Sequence, residues 1–298
     1  MPPSPPGRGD SPGWTAHRCH ALLEGFEWDP TLYGGSAAFY REGRLPYAPG
    51  LADELAGVLR LDGRGRLLDI GCGPGIVALE LASLFKEIVG LDADHDMIVE
   101  ADRESHRRGV THARWVRLRA EELPAGLGEF QVATLAQSFH WMKRGQVAGT
   151  VRSMLTPTGA LVHVNAYTRN GIESSSATPY PQPPWDAISE LVRRYLGAAT
   201  RAGQGLRDAV LSDEDAIFRS WFAGPQIVRV PDGRVLTRTT DSVVAGVFSV
   251  SSSAPHLFGD HLSSFESDLR RLLRETSPEG AFSQLTGDTK LRIWRPRP

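Results

Sequence analysis

The stretch LLDIGCGPGIVALELA, residues 67–82, followed by LDAD at 91–94, decides how this chain folds. Arg66 to Ile70 reads as a short buried strand that breaks at Gly71-Cys72-Gly73-Pro74-Gly75 and resumes as the helical run IVALELASLF. A strand that hands over to a helix through Gly-x-Gly-x-Gly lets a ligand lie against bare backbone, because a Cβ on Gly71 or Gly73 would occupy its path. Asp92, about twenty positions on at the tip of the next strand, is placed to accept hydrogen bonds from both ribose hydroxyls of a nucleoside. Dinucleotide sites favour G-x-G-x-x-G, with the pyrophosphate on the helix N-terminus. Here the third glycine comes one position earlier and a carboxylate, Asp69, precedes the loop. That carboxylate would repel a pyrophosphate and suits a cationic amino-acid moiety, so the pattern favours a nucleoside joined to an ammonium-bearing tail.

Outward from this loop the pattern repeats. Glu87 to Leu91, Arg114 to Leu118, Phe130 to Ala136 and Ala160 to Asn165 are further strand candidates. Between them lie the helical patterns DHDMIVEADRES and GQVAGTVRSML, the latter stopped by Thr156-Pro157-Thr158-Gly159. Alternating strands and helices predict an α/β fold: a doubly wound, mostly parallel sheet with helices on both faces. Upstream, LADELAGVLRL has helical spacing. Downstream, QIVRVPDGRVLTRT signals a hairpin turning at Asp232-Gly233, two helical stretches follow, and KLRIW is a last strand. The expected organisation is a disordered tail at 1–19, a helical lid at 20–60, a ligand-binding core at 61–165, an inserted cap at 166–225 and a sheet-completing part at 226–298.

Composition narrows the function classes. With 41% apolar and 23% charged residues the 298-residue chain can bury a substantial core. Its 33 basic and 35 acidic residues leave a net charge of −2, without the positive excess that a dedicated nucleic-acid binder uses against phosphate. The arginines at 103, 107, 108, 114, 117 and 119 crowd together, yet no RNA-binding module accompanies them. Cys19 and Cys72 make no disulfide framework and have no metal-spaced partners, and no apolar run is long enough to cross a bilayer. The tail, MPPSPPGRGDSPG, lacks a signal-peptide core, and its Arg8-Gly9-Asp10 triplet is too short to carry an adhesion reading. The expectation is a soluble cytoplasmic protein, monomer or homodimer, with no metal, membrane or nucleic-acid partner.

D-I-G-C-G-P-G, the LDAD acid and the later R-A-E-E-L-P resemble the class I S-adenosylmethionine-dependent methyltransferases. A-Q-S-F-H-W after the fourth strand is similar to the small-molecule group that contains trans-aconitate methyltransferase-like and antibiotic-tailoring enzymes. The resemblance covers roughly residues 25 to 165. It implies a Rossmann-like seven-stranded sheet with an inserted cap, S-adenosylmethionine as donor and S-adenosylhomocysteine as product. It further implies that Asp69, Gly71, Gly73 and Gly75 line the methionine and ribose, that Asp92 takes the ribose diol and that Ala93 flanks the adenine. By the same resemblance Ala120 or Glu121 reads the adenine edge, Ala136 and Gln137 end the fourth strand beside the sulfonium, and Tyr40 and Arg44 form a lid over the methionine end. Where the family carries an acid near the adenine amino group, this chain has Arg119.

Methyl transfer is an in-line displacement in which positioning is most of the catalysis. A hydroxyl or ammonium acceptor must also lose a proton, and His140 is the candidate base by its reference pKa and its place after the fourth strand. Trp141, Tyr33 and Trp185 are the aromatic candidates for the acceptor pocket. In the cap, Trp185, Tyr195 and Trp221 stand among Glu173, Asp186, Glu190, Asp208 and Asp213, a mix that suits a sugar or an amine. The leading expectation is methylation of an oxygen or nitrogen on a small secondary metabolite such as a sugar, aminosugar or polyketide. The alternatives are carboxyl methylation of a small organic acid, which needs no base, and a non-catalytic domain that binds the donor as a regulator.

Overall fold

The computed structural model describes residues 28–173, 177–198, 201–202, 205–206 and 214–297. The expected tail at 1–19, Cys19, Asp208 and Asp213 lie outside them. Leu67 and Leu68 show why the centre is a sheet with two dry faces. They are neighbours in strand β1 (Arg66–Ile70), both fully buried, and the alternation of a strand sends them to opposite sides. Leu68, with Val89 and Leu135, joins a core closed by Val147 and Val151 of a helix at Arg144–Met154. Leu67, with Ile88, Val132 and Val162, joins a second core closed by Leu51 and Leu55 of a helix at Leu51–Leu59.

Around β1 stand β2 (Glu87–Asp92), β3 (Ala113–Arg117), β4 (Phe130–Ala136), β5 (Leu155–Asn165), β6 (Phe222–Val230) and, beyond a separate antiparallel pair of β7 (Val235–Thr239) and β8 (Ala281–Leu285), β9 (Thr289–Pro296). The seven-stranded sheet runs β3-β2-β1-β4-β5-β9-β6. β1 to β5 pair in parallel, and β9 runs antiparallel between β5 and β6. The strand order reverses between β1 and β4, and in open parallel sheets ligands bind at that switch point, beyond the carboxyl ends of the strands.

The expected mostly parallel, doubly wound α/β sheet is present, and three local expectations differ. QIVRVPDGRVLTRT does not close on itself: β6 pairs with β9 and β7 pairs with β8. Asp232 does make a turn, accepting from the backbone of Gly233 and Arg234, but that turn is a corner leading the chain from the sheet into another layer. The helix at Glu214–Trp221, expected in the cap, packs on the sheet, with Phe218 stacked on Phe139 at 4.4 Å and Ile217 in the same core.

The cap is not one insertion over 166–225. It gathers α6 (Trp185–Leu196) with α8 (Thr240–Phe248) and α9 (Leu262–Thr276), counting α1 (Ala37–Gly43), α2 (Leu51–Leu59), α3 (Ile76–Glu80), α4 (His95–Arg107), α5 (Arg144–Met154) and α7 (Glu214–Trp221) in chain order. Ile188, Val247, Phe248, Phe265 and Phe282 form its own apolar core, and Phe39 of α1 packs against it. The lid and the cap are therefore one helical layer. α1 and α8 cross so closely that a Cβ on Gly43 would lie 2.4 Å from the carbonyl of Ala245.

Candidate functional site

A cleft open at its mouth to solvent lies at the carboxyl ends of β1, β2 and β4. Its floor is the glycine loop, and the three glycines play different parts. Gly71, Gly73 and Gly75 all have left-handed φ values, of 63°, 54° and 76°. A Cβ on Gly73 would meet nothing within 4 Å, so this position presents bare backbone to the cleft. One on Gly71 would meet Ser138 Cβ at 2.6 Å, so this glycine lets the β4 loop close over β1. One on Gly75 would meet the Trp115 indole at 2.5 Å. Gly75 does not line the cleft: with Gly90 it makes the seat of Trp115, which corrects its expected role against the ligand.

Two carboxylates face the cleft, Asp69 buried and Asp92 half-buried. Asp69, 1% exposed, accepts a hydrogen bond from Thr134 Oγ1 at 2.7 Å on one oxygen, while its Oδ2 has no partner. Burial raises its pKa from 3.8 to about 6, against the hydrogen bond from Thr134 and the backbone N–H of Ala78 at the start of the following helix. A carboxylate oxygen left unpaired in a buried site costs free energy until a donor or cation arrives. Asp92 is held by two backbone donors, Gly73 N at 2.8 Å on Oδ2 and Asp94 N at 2.9 Å on Oδ1, and burial raises it too to about 6. Each of its oxygens keeps a lone pair for a hydroxyl. The second acid of LDAD does other work, since Asp94 caps α4 by accepting from Asp96 N and Met97 N.

Ala93, Met97, Leu118, Arg119, Ala120 and Glu121 form one end of the cleft. Arg119, standing where the family has an acid, lies with its Nε 3.5 Å from Glu121 Oε2, and Glu121 also accepts from Lys143 N at 2.8 Å. The departure thus carries its own counter-charge. Ala136 and Gln137 line the middle, as expected. Gln137 takes a left-handed φ of 58°, a conformation a side-chain-bearing residue adopts at a cost, and its Nε2 donates to Ala166 O at 2.9 Å. Ser138 Oγ donates to Ile70 O at 2.7 Å, so the ends of β1, β4 and β5 are tied together under the cleft.

The other end is aromatic. Tyr33, Tyr40, Tyr47, Trp28 and Trp141 line it, with Tyr33 edge-on to Trp141 at 6.3 Å. Burial pushes the Tyr33 and Tyr47 phenols above their usual range, so both stay protonated. Trp28, Tyr47, Met97 and Met142 had no motif to single them out; Tyr47 and Trp28 belong to an aromatic-rich N-terminal run, which is a signal for packing in general.

Besides Gly75, three expected site residues stand elsewhere. His140 is not among the lining residues; it sits on a single 3₁₀ turn, Phe139–Trp141, against the Trp141 ring at 4.6 Å. The turn presents Trp141 and Met142 to the cleft instead. Trp185 is partly buried in the cap core, near Gly246 and Arg169, and does not line the cleft. Arg44 lies behind Tyr40, 4.7 Å from the centre of its ring. Tyr195 packs on Phe265 and donates to Asp268, Trp221 covers Gly149, and Glu190 pairs with Arg193, so these three also leave the cleft. Arg107 and Arg108 converge on the buried Glu104, whose Oε2 is also 3.7 Å from Arg41 of α1. Cys72 lines the cleft as a buried thiol whose pKa burial raises. Among the described residues no group of three or more His, Cys, Asp and Glu is placed to hold a metal, and no helix is long and apolar enough to cross a membrane.

The donor set fits S-adenosylmethionine: a buried carboxylate oxygen without a partner for the ammonium, a backbone-held carboxylate for the diol and a bare Gly73 between them. The family described as a methyltransferase domain matches residues 67–159. An uncharacterised methyltransferase of Schizosaccharomyces pombe is 33% identical over 98 residues, which are 33% of this chain and 36% of that one. Malonyl-[acyl-carrier protein] O-methyltransferase of Legionella pneumophila is 30% identical over 102 residues, 33% of this chain and 34% of that one. The chain spans about a third of the length of these curated relatives. In fold, it is similar to an S-adenosylmethionine-dependent methyltransferase from Thiobacillus denitrificans whose structure holds S-adenosylhomocysteine, at a TM-score of 0.50 and 15% identity over 91% of this chain and all of that one. Residues 67–159 match a methyltransferase domain, and over that stretch the chain is similar to class I S-adenosylmethionine-dependent methyltransferases.

Proposed function

We propose that this protein transfers the methyl group of S-adenosylmethionine to a small-molecule acceptor that enters beneath the lid and cap. The observation that carries the reading is the pairing of Asp69, with its unpartnered buried oxygen, and Asp92, held by Gly73 and Asp94, in one cleft roofed by Tyr33, Tyr40 and Tyr47. The bound donor supplies an electrophilic methyl carbon on a sulfonium. What the chain contributes is orientation, exclusion of water by the aromatic roof, and a floor that fixes the nucleoside.

The acceptor's reacting atom is an oxygen or a nitrogen. A sugar, aminosugar or polyketide hydroxyl would call for a base, and among the described residues that line the cleft there is no histidine or lysine. Its titratable groups are the three phenols, Cys72, Arg119 and the carboxyls of Asp69, Asp92 and Glu121. That favours the second reading, an acceptor that is already nucleophilic near neutral pH, such as a carboxylate, for which positioning suffices.

Calorimetric titration with S-adenosylmethionine, S-adenosylhomocysteine and, as control, NAD tests the donor site. Saturable binding of the first two with no heat from NAD supports it, and a preference for NAD overturns it. Incubation with the donor and pools of small acids, sugars and amines, read by mass spectrometry for a gain of one methyl group, then tests turnover. Donor binding with no methylated product from any pool would favour a regulatory, non-catalytic protein.

A further inference from the structure

The arginines crowded between positions 103 and 119 have no part in the cleft apart from Arg119, and the structure sorts them. Arg107 and Arg108 are held by Glu104, Arg119 lies beside Glu121, and Arg103 is 3.5 Å from Glu100. Arg117 donates to the carbonyl of Ala93 at 3.4 Å, which ties the end of β3 to that of β2. Arg114 differs. Among the described residues it pairs with no carboxylate, and Glu87, whose charge it feels, is already held by Arg66 through both of its oxygens.

Arg114 stands on a free edge. β3 is the last strand of the seven-stranded sheet, and among the described residues no strand pairs with its outer side. Ile88 N donates to His112 O and Leu118 N donates to Asp92 O, so positions 112 and 118 bond towards β2. In a parallel pair alternate residues of a strand bond to the same neighbour, which turns the backbone N–H and C=O of Ala113, Trp115 and Arg117 outward. Beside this edge α4 and β3 enclose a groove. Ile98 and Val99 of α4 line it together with Ala113 and Trp115 of β3, all four half-buried. Asp102, 3.4 Å from His106, and Arg103 stand exposed at its rim. Trp115 is a fixed wall, because its ring rests in the seat made by Gly75 and Gly90. Arg114, between Ala113 and Trp115, springs from the opposite face of the strand and is exposed.

Unpaired backbone groups beside a half-apolar groove are the form in which a sheet accepts an added strand. The side chains of such a strand alternate, so it meets two different surfaces. One set enters the groove against Ile98, Val99 and Trp115 and has to be apolar. The other set lies beside Arg114, whose unpaired charge calls for an acid. A second copy of β3 does not supply one. In antiparallel pairing, either parity of register places Arg114 of one copy on the same face as Arg114 or Arg117 of the other, and like charges across a pair oppose it.

We propose that the edge of β3 and the groove beside α4 form a docking site for an extended segment of another protein in which acidic and apolar residues alternate. The site lies outside the cleft and does not depend on the methyl-transfer reading.

The probe is a fluorescein-labelled pentapeptide with glutamate at its first, third and fifth positions and valine between them, titrated into the full chain by fluorescence anisotropy. Saturable binding with a dissociation constant below about 1 mM is expected, and a peptide of the same composition without the alternation should bind at least about fivefold more weakly. Methylation of alternate backbone nitrogens should abolish binding in one phase and spare it in the other. Arg114→Glu should weaken the peptide by about tenfold or more, as expected when a charged partner is reversed. Ala113→Pro removes an outward N–H and none of those that face β2, and should weaken it by a similar factor. Both variants should keep the unfolding midpoint of the wild type within a few degrees. Failure to saturate, equal affinity for the alternating and shuffled peptides, or binding unchanged by Arg114→Glu overturns the proposal. So does preferential binding of a uridine oligonucleotide that Arg114→Glu abolishes, since the arginine would then be reading phosphate.

Discussion

The floor of the cleft and its roof are built on different length scales. On the floor, Gly73 reaches Asp92 over 19 positions, and Arg66 reaches Glu87 over 21. In the roof, Arg238 reaches Glu42 over 196 positions and Arg44 reaches Ser249 over 205. The donor is thus recognised by a compact unit of consecutive strand, turn and helix. The space for the acceptor is closed by segments from both ends of the chain, which meet only when the whole fold is formed. Damage to the roof should therefore separate the two functions, sparing donor binding and removing turnover.

The largest expected effect tests this directly. Gly43→Val would drive side-chain carbons into the backbone of Ala245 and Gly246, which cannot yield as the end of a side chain can. Destabilisation by about 3 kcal/mol is expected in denaturant unfolding, with turnover falling much further than affinity for S-adenosylhomocysteine. Gly90→Val is the matched change in the floor, where a Cβ would meet the Trp115 ring at 2.3 Å. It should lose comparable stability and donor affinity together. If the two variants show the same ratio of donor binding to turnover, the separation of floor and roof is wrong.

Next in size is Asp92→Asn, which keeps the shape but removes the charge and one acceptor for the backbone donors of Gly73 and Asp94. Affinity for S-adenosylmethionine should drop by about thirtyfold or more, corresponding to ~2 kcal/mol for hydrogen bonds to a charged group. Calorimetry on the variant checks it; an unchanged dissociation constant would remove Asp92 from the site.

This division also explains what was legible in the sequence. The glycine loop, Asp69 and Asp92 were readable because strand period, turn chemistry and a ribose-matching acid all fall within one short stretch. That the first five strands exist, alternate with helices and run mostly in parallel followed from the same alternation. The cap boundaries did not follow, because a helix such as α7 carries an apolar stripe whether it packs on the sheet or on other helices. Nor did Trp185 and His140 declare where they point: a 3₁₀ turn of three residues decides that Trp141 faces the cleft. Gly75 has the spacing of a ligand-contacting residue, and only the position of Trp115, forty residues on, shows that its missing Cβ serves packing.

A smaller effect should appear on titration. Asp69 and Asp92 sit at about 6 in the folded chain against 3.8 for the ordinary carboxyl. A raised folded pKa means that these groups contribute stability below about 4, and that this contribution is lost as pH rises through about 6. Donor binding runs the opposite way, since the ammonium and the diol need the ionised forms. Affinity for S-adenosylmethionine should weaken severalfold between pH 7.5 and 5.5, and binding near pH 6 should release protons, seen as a dependence of the calorimetric heat on the buffer's ionisation enthalpy. A flat profile over that window would mean that the two carboxyls are ionised throughout.

The smallest effect is expected at His140, and its smallness is informative. If His140 were the base for a hydroxyl or ammonium acceptor, His140→Ala would cost about two to four orders of magnitude in turnover. Its ring lies against Trp141 and does not line the cleft. The expected loss is therefore below about threefold, within the range of a surface packing change of up to ~0.5 kcal/mol, and Trp141→Ala, which opens the roof itself, should cost far more. An acceptor that needs its proton removed would show a rate rising with pH in both the wild type and His140→Ala. A carboxylate acceptor would show no such limb in either. A large loss at His140 accompanied by disappearance of the rising limb of the pH profile would return the histidine to the reaction and would require the turn to reorganise when the acceptor binds.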